Sequence, residues 1–398
     1  MAYLLKETPF VALVVLAVLA RVDEQFSDVA RNLGATAWQR FRFVTLPLIM
    51  PSVIFSSLIV FAFVFGAFEV PQILGRPFPA MIAVVANRRF GDTNLAERPS
   101  AMAIVIFMFL ISMILVWFYL RLTEKRKEPK DRLYFKLLMI SKLNYFKVYG
   151  QNALILVAVL SPYLLLFIWS FAQNWRFPLI IPSEFNLRAW SYVFEPTSNV
   201  LQSLLNSLFL ALCVSLIAVL IALPAARTLA LEKFRYKRFV FFLLLLPLLA
   251  PSIVTAVGVH TLFLGYGLTD TWLGVILAHL IPTVPYTILL LMGGFSRLDT
   301  DFEAQAQTLG ANSWQVWRFV TFPAIAPSLA VSAVFAFLIS WSQYLTTLFI
   351  GGGKIQTLPM TLVAFQRSSD ESISSALTLV FVAPTFIVFG IAAKFMKE

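Results

Sequence analysis

Cysteine and histidine are almost absent from this 398-residue chain: Cys213, His260 and His279 are the only ones. A single cysteine forms no internal disulfide, and two histidines that do not stand at ligand spacing from carboxylates make no metal centre. The sequence therefore implies no catalytic residues, no metal and no cofactor. Charge is scarce too. Only 13% of residues are Asp, Glu, Lys or Arg, against about 25% in an ordinary soluble domain. Thirty-one basic and 20 acidic residues cannot clothe a soluble globule of this length in a wet surface. With 60% hydrophobic residues and a mean hydropathy of +0.83, the chain reads as a polytopic membrane protein. The net charge of +11 is split among short segments beside apolar stretches, which argues against nucleic acid and for membrane topology.

Crossing the hydrocarbon takes about 20 mostly apolar residues. Nine stretches qualify: 3–20, 49–69, 101–121, 153–172, 203–223, 239–260, 272–292, 325–347 and 373–393. None alternates apolar and polar residues as barrel strands do, so the expected fold is all-α, a transmembrane helical bundle of about nine spans. The stretch from Arg121 to Gly150 is rich in Lys and Arg, as is Arg227 to Arg238, and Lys394 and Lys397 lie near the C-terminus. Alternation through the spans puts all three on the cytoplasmic side. Residues 123–150 read as a basic cytoplasmic linker, with a lipid-binding or regulatory segment as the alternative. The linker separates a first half, 1–122, of three spans from a second, 151–398, of six. The first half has one span before its loop where the second has four, and is expected to be incomplete at its N-terminus.

One internal repeat is clear. Residues 23–52 match 299–328 without a gap at roughly half their positions, which makes the chain two homologous halves. Local chemistry predicts two short helices in each copy. Thr300 followed by Glu303 reads as a capping box starting the first helix, and Gly34 or Gly310 supplies the positive φ that ends it. Thr36 with Gln39, and Asn312 with Gln315, read as caps of the second helix. Pro47 or Pro323 is expected to close the unit before the next span. Trp38 with Phe41, and Trp314 with Trp317, fall three apart on one face. Topology places both copies in the cytoplasm, where an amphipathic helix pair fits a partner's groove or the lipid interface.

The run Asp28-Val29-Ala30 with Gly34 and Pro47, and Ala304-Gln305-Ala306 with Gly310 and Pro323, resembles the EAA loop of permeases in binding-protein-dependent ABC importers. The resemblance covers almost the whole chain in helix order. It implies that each loop forms a coupling helix seated in a cleft of a cytoplasmic ABC ATPase, with two ATPase copies served by one chain. It also implies a periplasmic or lipid-anchored solute-binding protein as partner, and the bacterial inner (cytoplasmic) membrane as location. The ATPase-coupling residues it marks are Asp28, Ala30, Gly34, Trp38, Phe41, Pro47, Glu303, Ala306, Gly310, Trp314, Trp317 and Pro323. The acidic position departs from the pattern: Asp28 replaces glutamate in the first copy, and in the second Ala304 fills the slot while Glu303 stands one residue early.

ATP hydrolysis has no site here. Gly351-Gly352-Gly353-Lys354 lacks the spaced first glycine and the following Ser or Thr of a phosphate loop and reads as a turn. Polar groups at membrane depth mark a solute path, and the candidates are Glu69, Asn206, Ser207, His279, Ser342, Gln343 and Tyr344. Asn206 could equally make a helix-to-helix hydrogen bond, and His279, ahead of Pro282 and Pro285, could satisfy a broken helix. The phrases Gly66-Ala67-Phe68-Glu69-Val70-Pro71, Leu74-Gly75 and Thr357-Leu358-Pro359 look most like the branch importing polyamines, ferric iron, thiamine and related solutes. A secondary transporter is the alternative, but it needs coupling carboxylates or broken glycine-rich helices at mid-membrane, and the spans hold almost no charge.

Overall fold

A computed structural model describes residues 8, 11, 30, 31, 34–67, 71, 78–124, 160–173, 175, 179, 181–367 and 370–395. All of the expected span 3–20 but residues 8 and 11, the residues Asp28 and Glu69, and nearly all of the linker lie outside them. The chain forms two compact units, Met1–Glu128 with Arg238–Val259, and Pro129–Lys237 with His260–Glu398.

In the first unit a short helix α1 (Ala37–Arg40) runs through the turn Phe41–Thr45 into α2 (Leu46–Gly66), followed by α3 (Ile82–Phe90) and α4 (Arg98–Glu124). Gly66 ends α2 against Pro251, whose Cα lies 2.5 Å from where a glycine Cβ would be. The hydroxyl of Ser252 donates to the Gly66 carbonyl at 3.2 Å, so only glycine lets the backbones come this close.

The second unit contains α5 (Leu160–Phe171), a hairpin of β1 (Ala172–Gln173) and β2 (Glu184–Phe185), and α6 (Arg188–Phe194). The strands pair antiparallel, Ala172 opposite Phe185 and Gln173 opposite Glu184. Next come α7 (Val200–Leu231), α8 (Lys237–Leu249), which from Arg238 on belongs to the first unit with α9 (Ser252–Gly265) as far as Val259, and α10 (Trp272–Phe295). The rest of the second unit is α11 (Thr300–Thr308), α12 (Ser313–Val316), α13 (Phe322–Trp341), α14 (Leu345–Gly351), α15 (Leu358–Arg367) and α16 (Glu371–Phe395).

The second unit is built around α7, α10 and α13, which pack on one another. The inward face of α7 is mostly small: Ser203, Ser207, Ala211, Ser215, Ala218, Ala222 and Ala226 are buried, alongside the larger Val200, Leu210, Val214 and Leu229. Its outward stripe, Leu201, Leu205, Phe209, Leu212, Leu216 and Leu220, is large, apolar and exposed. Water would penalise that outward face, whereas lipid does not, and small residues inside let helices approach closely. Gly294 of α10 serves the same end, for a Cβ there would fall 2.6 Å from the Ser328 side chain of α13. Where α6, α7, α13, α15 and α16 meet, Val193, Ala211, Phe337, Trp341, Leu358 and Leu377 form one apolar core.

Among the described residues four helical stretches are long and apolar enough to cross a membrane, Val200–Leu231, Trp272–Phe295, Ser313–Trp341 and Glu371–Ala392, with Lys237–Leu248 and Ser252–Gly265 as a bent fifth. Two expected spans are therefore discontinuous. The stretch 239–260 breaks at Ala250-Pro251, where proline has no N–H to continue the ladder and pushes the residue before it out of the helical region. The stretch 325–347 breaks at Ser342–Tyr344, between α13 and α14.

Gly351–Lys354 is a turn, as expected. Gly352 has φ +53°, and a Cβ there would fall 1.6 Å from Oδ1 of Asp270, while Lys354 pairs with the same carboxylate at 3.5 Å. Gly352→Ala combines left-handed strain with overpacking, each costing about 1–3 kcal/mol. A clearly lowered melting temperature of the detergent-solubilised chain is expected, with Gly353→Ala, which meets nothing within 4 Å, milder.

Candidate functional site: two coupling loops and a polar helix break

The two loops fold alike at the level of single hydrogen bonds. Gly34 and Gly310 have φ +82° and +91°. Gly34 N donates to the Arg31 carbonyl and Ala35 N to Ala30, as Gly310 N does to Gln307 and Ala311 N to Ala306, all at 3.0 Å. This is a Schellman turn, in which the αL glycine lets two N–H groups close back on the last helical carbonyls. Ala30 and Ala306 supply the carbonyl that closes the wider ring.

Immediately after it, both capping boxes form as the sequence implies. Thr36 N donates to Gln39 Oε1 at 2.8 Å and Gln39 N to Thr36 Oγ1 at 3.3 Å. In the second copy Asn312 N donates to Gln315 Oε1 at 2.8 Å and Gln315 N to Asn312 Oδ1 at 2.9 Å. The aromatic pairs meet: Trp38 and Phe41 at 5.7 Å, Trp314 and Trp317 stacked at 5.3 Å. Trp38 and Trp314 are 64% and 66% exposed, two large apolar surfaces at matching positions.

Two features differ from expectation. Pro47 and Pro323 do not close the loops. Each lies in the first turn of the long helix, and a π turn, Phe41–Thr45 or Trp317–Thr321, joins that helix to the short one before it. Leu46 N bonds Phe41 O and Phe322 N bonds Trp317 O, five residues back. A proline ring collides with the carbonyl four residues earlier, and a widened turn makes room without ending the helix.

The second difference is at Glu303. The helix does start at Thr300, but its cap is Asp299, whose carboxylate accepts from Asp301 N at 3.0 Å. Glu303 is not part of a box. Its side chain turns inward and accepts from both terminal nitrogens of Arg227, at 2.8 and 2.6 Å, and from the Thr321 hydroxyl. Glu303 and Thr321 are buried, and Arg227 lies near the end of α7. The Arg227 guanidinium, aided by Thr321, holds the Glu303 carboxyl below its ordinary range. The bidentate pair thus joins α7, α11 and the π turn ahead of α13. At the matching position of the first loop the sequence has Ser27.

The path candidates fall in two places. Asn206 donates to the Gln356 carbonyl at 2.8 Å and accepts from Gln202 at 2.9 Å. Beside it Ser207 accepts from Leu358 N at 2.8 Å. Both tie α7 to the start of α15. His279, Ser342, Gln343 and Tyr344 gather instead at the break between α13 and α14. Ser342 is exposed, Gln343 half-buried and Tyr344 buried. His279 has no exposed surface, and both ring nitrogens are engaged, Nδ1 with Ser340 Oγ and Nε2 with Thr347 Oγ1, each at 2.9 Å.

Sequence reasoning missed Arg227, Thr321, Ser340 and Thr347. Arg227 gave a usable signal as the cation next to an apolar run. In the sequence, topology alone accounts for it. Among the described residues no group of three or more His, Cys, Asp or Glu could hold a metal.

The family described as "Binding-protein-dependent transport system inner membrane component" matches residues 1–128 and 218–397. The chain is 24% identical over 400 aligned residues to the inner membrane ABC transporter permease protein YnjC of Escherichia coli (strain K12), covering 98% of this chain and 70% of that protein. It is 30% identical over 223 residues to the molybdenum transport system permease protein ModB of Mycobacterium bovis, covering 52% of this chain and 83% of that one. Among solved structures, a chain of a bacterial ABC transporter involved in the import of the acidic polysaccharide alginate aligns at TM-score 0.48 and 21% identity, over 65% of this chain and 99% of that chain.

Proposed function

Since the chain belongs to the family of inner membrane components of binding-protein-dependent transport systems and is the permease of an ABC importer, we propose that its two loops, α1 and α11–α12 with their π turns, are the seats of two copies of a cytoplasmic ATPase. A periplasmic or lipid-anchored binding protein delivers a small solute to the opposite side. The solute is of the kind taken by the polyamine, ferric iron and thiamine branch, a reading supported by the phrases around Glu69 and Thr357-Leu358-Pro359. The chain itself carries no chemistry, and the energy comes from the separate ATPase. Asn206, Ser342, Gln343, Tyr344 and Glu69 serve as path residues, and non-helical backbone at membrane depth is tolerated only inside protein or beside a wet cavity.

One observation carries the proposal: the same sequence of Schellman turn, capping box, exposed tryptophan and π turn occurs in both halves. A lipid-interface helix requires neither the duplication nor the fixed glycine register. Truncating Trp314 to alanine removes an exposed side chain without emptying the core. A central interface tryptophan contributes about 2 kcal/mol or more, so co-purification of the ATPase with the full chain is expected to weaken roughly 30-fold, with Trp38→Ala acting on the other loop. Unaltered recovery in both variants, with the chain still inserted, would remove the proposal.

A further inference from the structure

The break at Ser342–Tyr344 is bracketed by a single side chain from another helix. His279 of α10 reaches Ser340 on the last turn of α13 and Thr347 on the first turn of α14. Hydrogen counting fixes how it does so. The Thr347 hydroxyl has one hydrogen and donates it to the Gln343 carbonyl at 3.0 Å, one of the groups the break leaves without a helical partner. Thr347 therefore accepts from His279, and Nε2 carries the ring hydrogen. No carboxylate is among the bonds the ring makes, and an unpaired cation is costly at membrane depth, so the ring is neutral and Nδ1 accepts from Ser340. The bonds run in one direction: Ser340 hydroxyl to Nδ1, Nε2–H to Thr347, Thr347 hydroxyl to the Gln343 carbonyl. The histidine is itself anchored from behind, its carbonyl accepting from the Thr283 hydroxyl at 2.7 Å, which lies between Pro282 and Pro285.

We propose that His279, as the neutral Nε2–H tautomer, is a positioning residue that holds the Ser342–Tyr344 break open, setting how Ser342 and Gln343 are presented. This rests on the reading of that break as part of the solute path, and replaces direct contact by His279 with indirect control.

The scarcity of cysteine and histidine makes the test clean. In the full chain, Cys213→Ser leaves no thiol, and Ser342→Cys then reports the break through its labelling rate with a small, membrane-impermeant methanethiosulfonate reagent in vesicles. His279→Leu is expected to change that rate roughly tenfold, the effect of losing two net-favourable hydrogen bonds together. His279→Gln, which can both donate and accept, should stay close to the parent. Ser340→Ala and Thr347→Val each remove one bond and give intermediate rates, which keeps the test open should His279→Leu fail to fold. Equal rates in all folded variants overturn the proposal.

With ring-¹⁵N histidine only two side chains are labelled, and His260→Gln assigns them. Spectra should show His279 unprotonated at Nδ1 and protonated at Nε2, and a protonated Nδ1 overturns the assignment. If Ser342→Cys labels in no variant, the path reading of the break fails, and the tautomer, with its expected change in Thr347→Val, decides the positioning role separately.

Discussion

Arg227→Met is expected to loosen α11 from its bundle, with amide exchange across Thr300–Thr308 in the detergent-solubilised chain accelerating about 30-fold. Removing the guanidinium leaves the Glu303 carboxylate buried with only Thr321 to satisfy it. A hydrogen-bonded charge in that position contributes about 2 kcal/mol, or about 30-fold in an opening equilibrium. The half-exposed arginine keeps the figure below that of a fully buried pair. Glu303→Gln should fall between, since an amide still accepts from Arg227. Arg227→Glu combined with Glu303→Arg should recover part of the loss, as a pairwise interaction requires and simple packing does not.

The same tie has a pH signature. Because Arg227 depresses the Glu303 carboxyl in the folded chain, the stabilisation is complete above the ordinary carboxyl value of about 4. It is lost as pH falls through the lower, folded value. Exchange in α11, corrected for intrinsic rates, should therefore be flat near neutrality and rise only in strong acid. In Arg227→Met that acid rise should vanish, because burial then outweighs Thr321 and protonating Glu303 relieves an uncompensated charge. An α11 that exchanges at the parent rate in Arg227→Met would show the pair to be inert.

Gly310→Val should weaken recovery of the proposed ATPase without removing any contacting side chain. No atom lies within 4 Å of a Cβ placed at Gly34 or Gly310, so the cost is not a clash but the left-handed backbone, about 1–2 kcal/mol for an ordinary residue and more for a β-branched one. Valine answers by abandoning φ +91°, which swings α12 relative to α11. Roughly tenfold or greater loss of ATPase recovery is expected from Gly310→Val, and the same at Gly34. Asparagine, which tolerates αL, should largely retain binding at either site. Equal behaviour of valine and asparagine would mean that the turn is not what the partner reads.

How much of this could be read beforehand follows the distance over which each decision is made. Both capping boxes and both αL glycines were legible, because caps and φ are settled within about six residues. Thr300 is not the cap for an equally local reason: Asp299 stands one residue earlier and caps as well as threonine. With the box unformed, Glu303 was free to turn inward, and nothing local could announce Arg227, 76 residues away. The apolar runs fixed the helices but not their interruptions. Pro251 ends one helix while Pro323 is carried inside another, since a π turn can absorb the second and hydropathy is blind to the difference. His279 stands out in the sequence as a polar residue at depth, yet its role depends on Ser340 and Thr347, 61 and 68 residues on.

The π turns also set a rotational phase. A turn closed five residues back holds one residue more than the α-helix would, and each residue advances the helix by about 100°. Every side chain in α12 is therefore rotated by about that angle from where a regular helix extended back from α13 would carry it, and α1 is offset from α2 in the same sense. Deleting one residue from Trp317–Thr321 would leave α13 as apolar as before but turn Trp314 a quarter-circle around the axis. Each loop's aim is thus written in residue number rather than residue type. Point substitutions across the π turn, Thr321 with its bond to Glu303 apart, keep that phase where a single deletion does not.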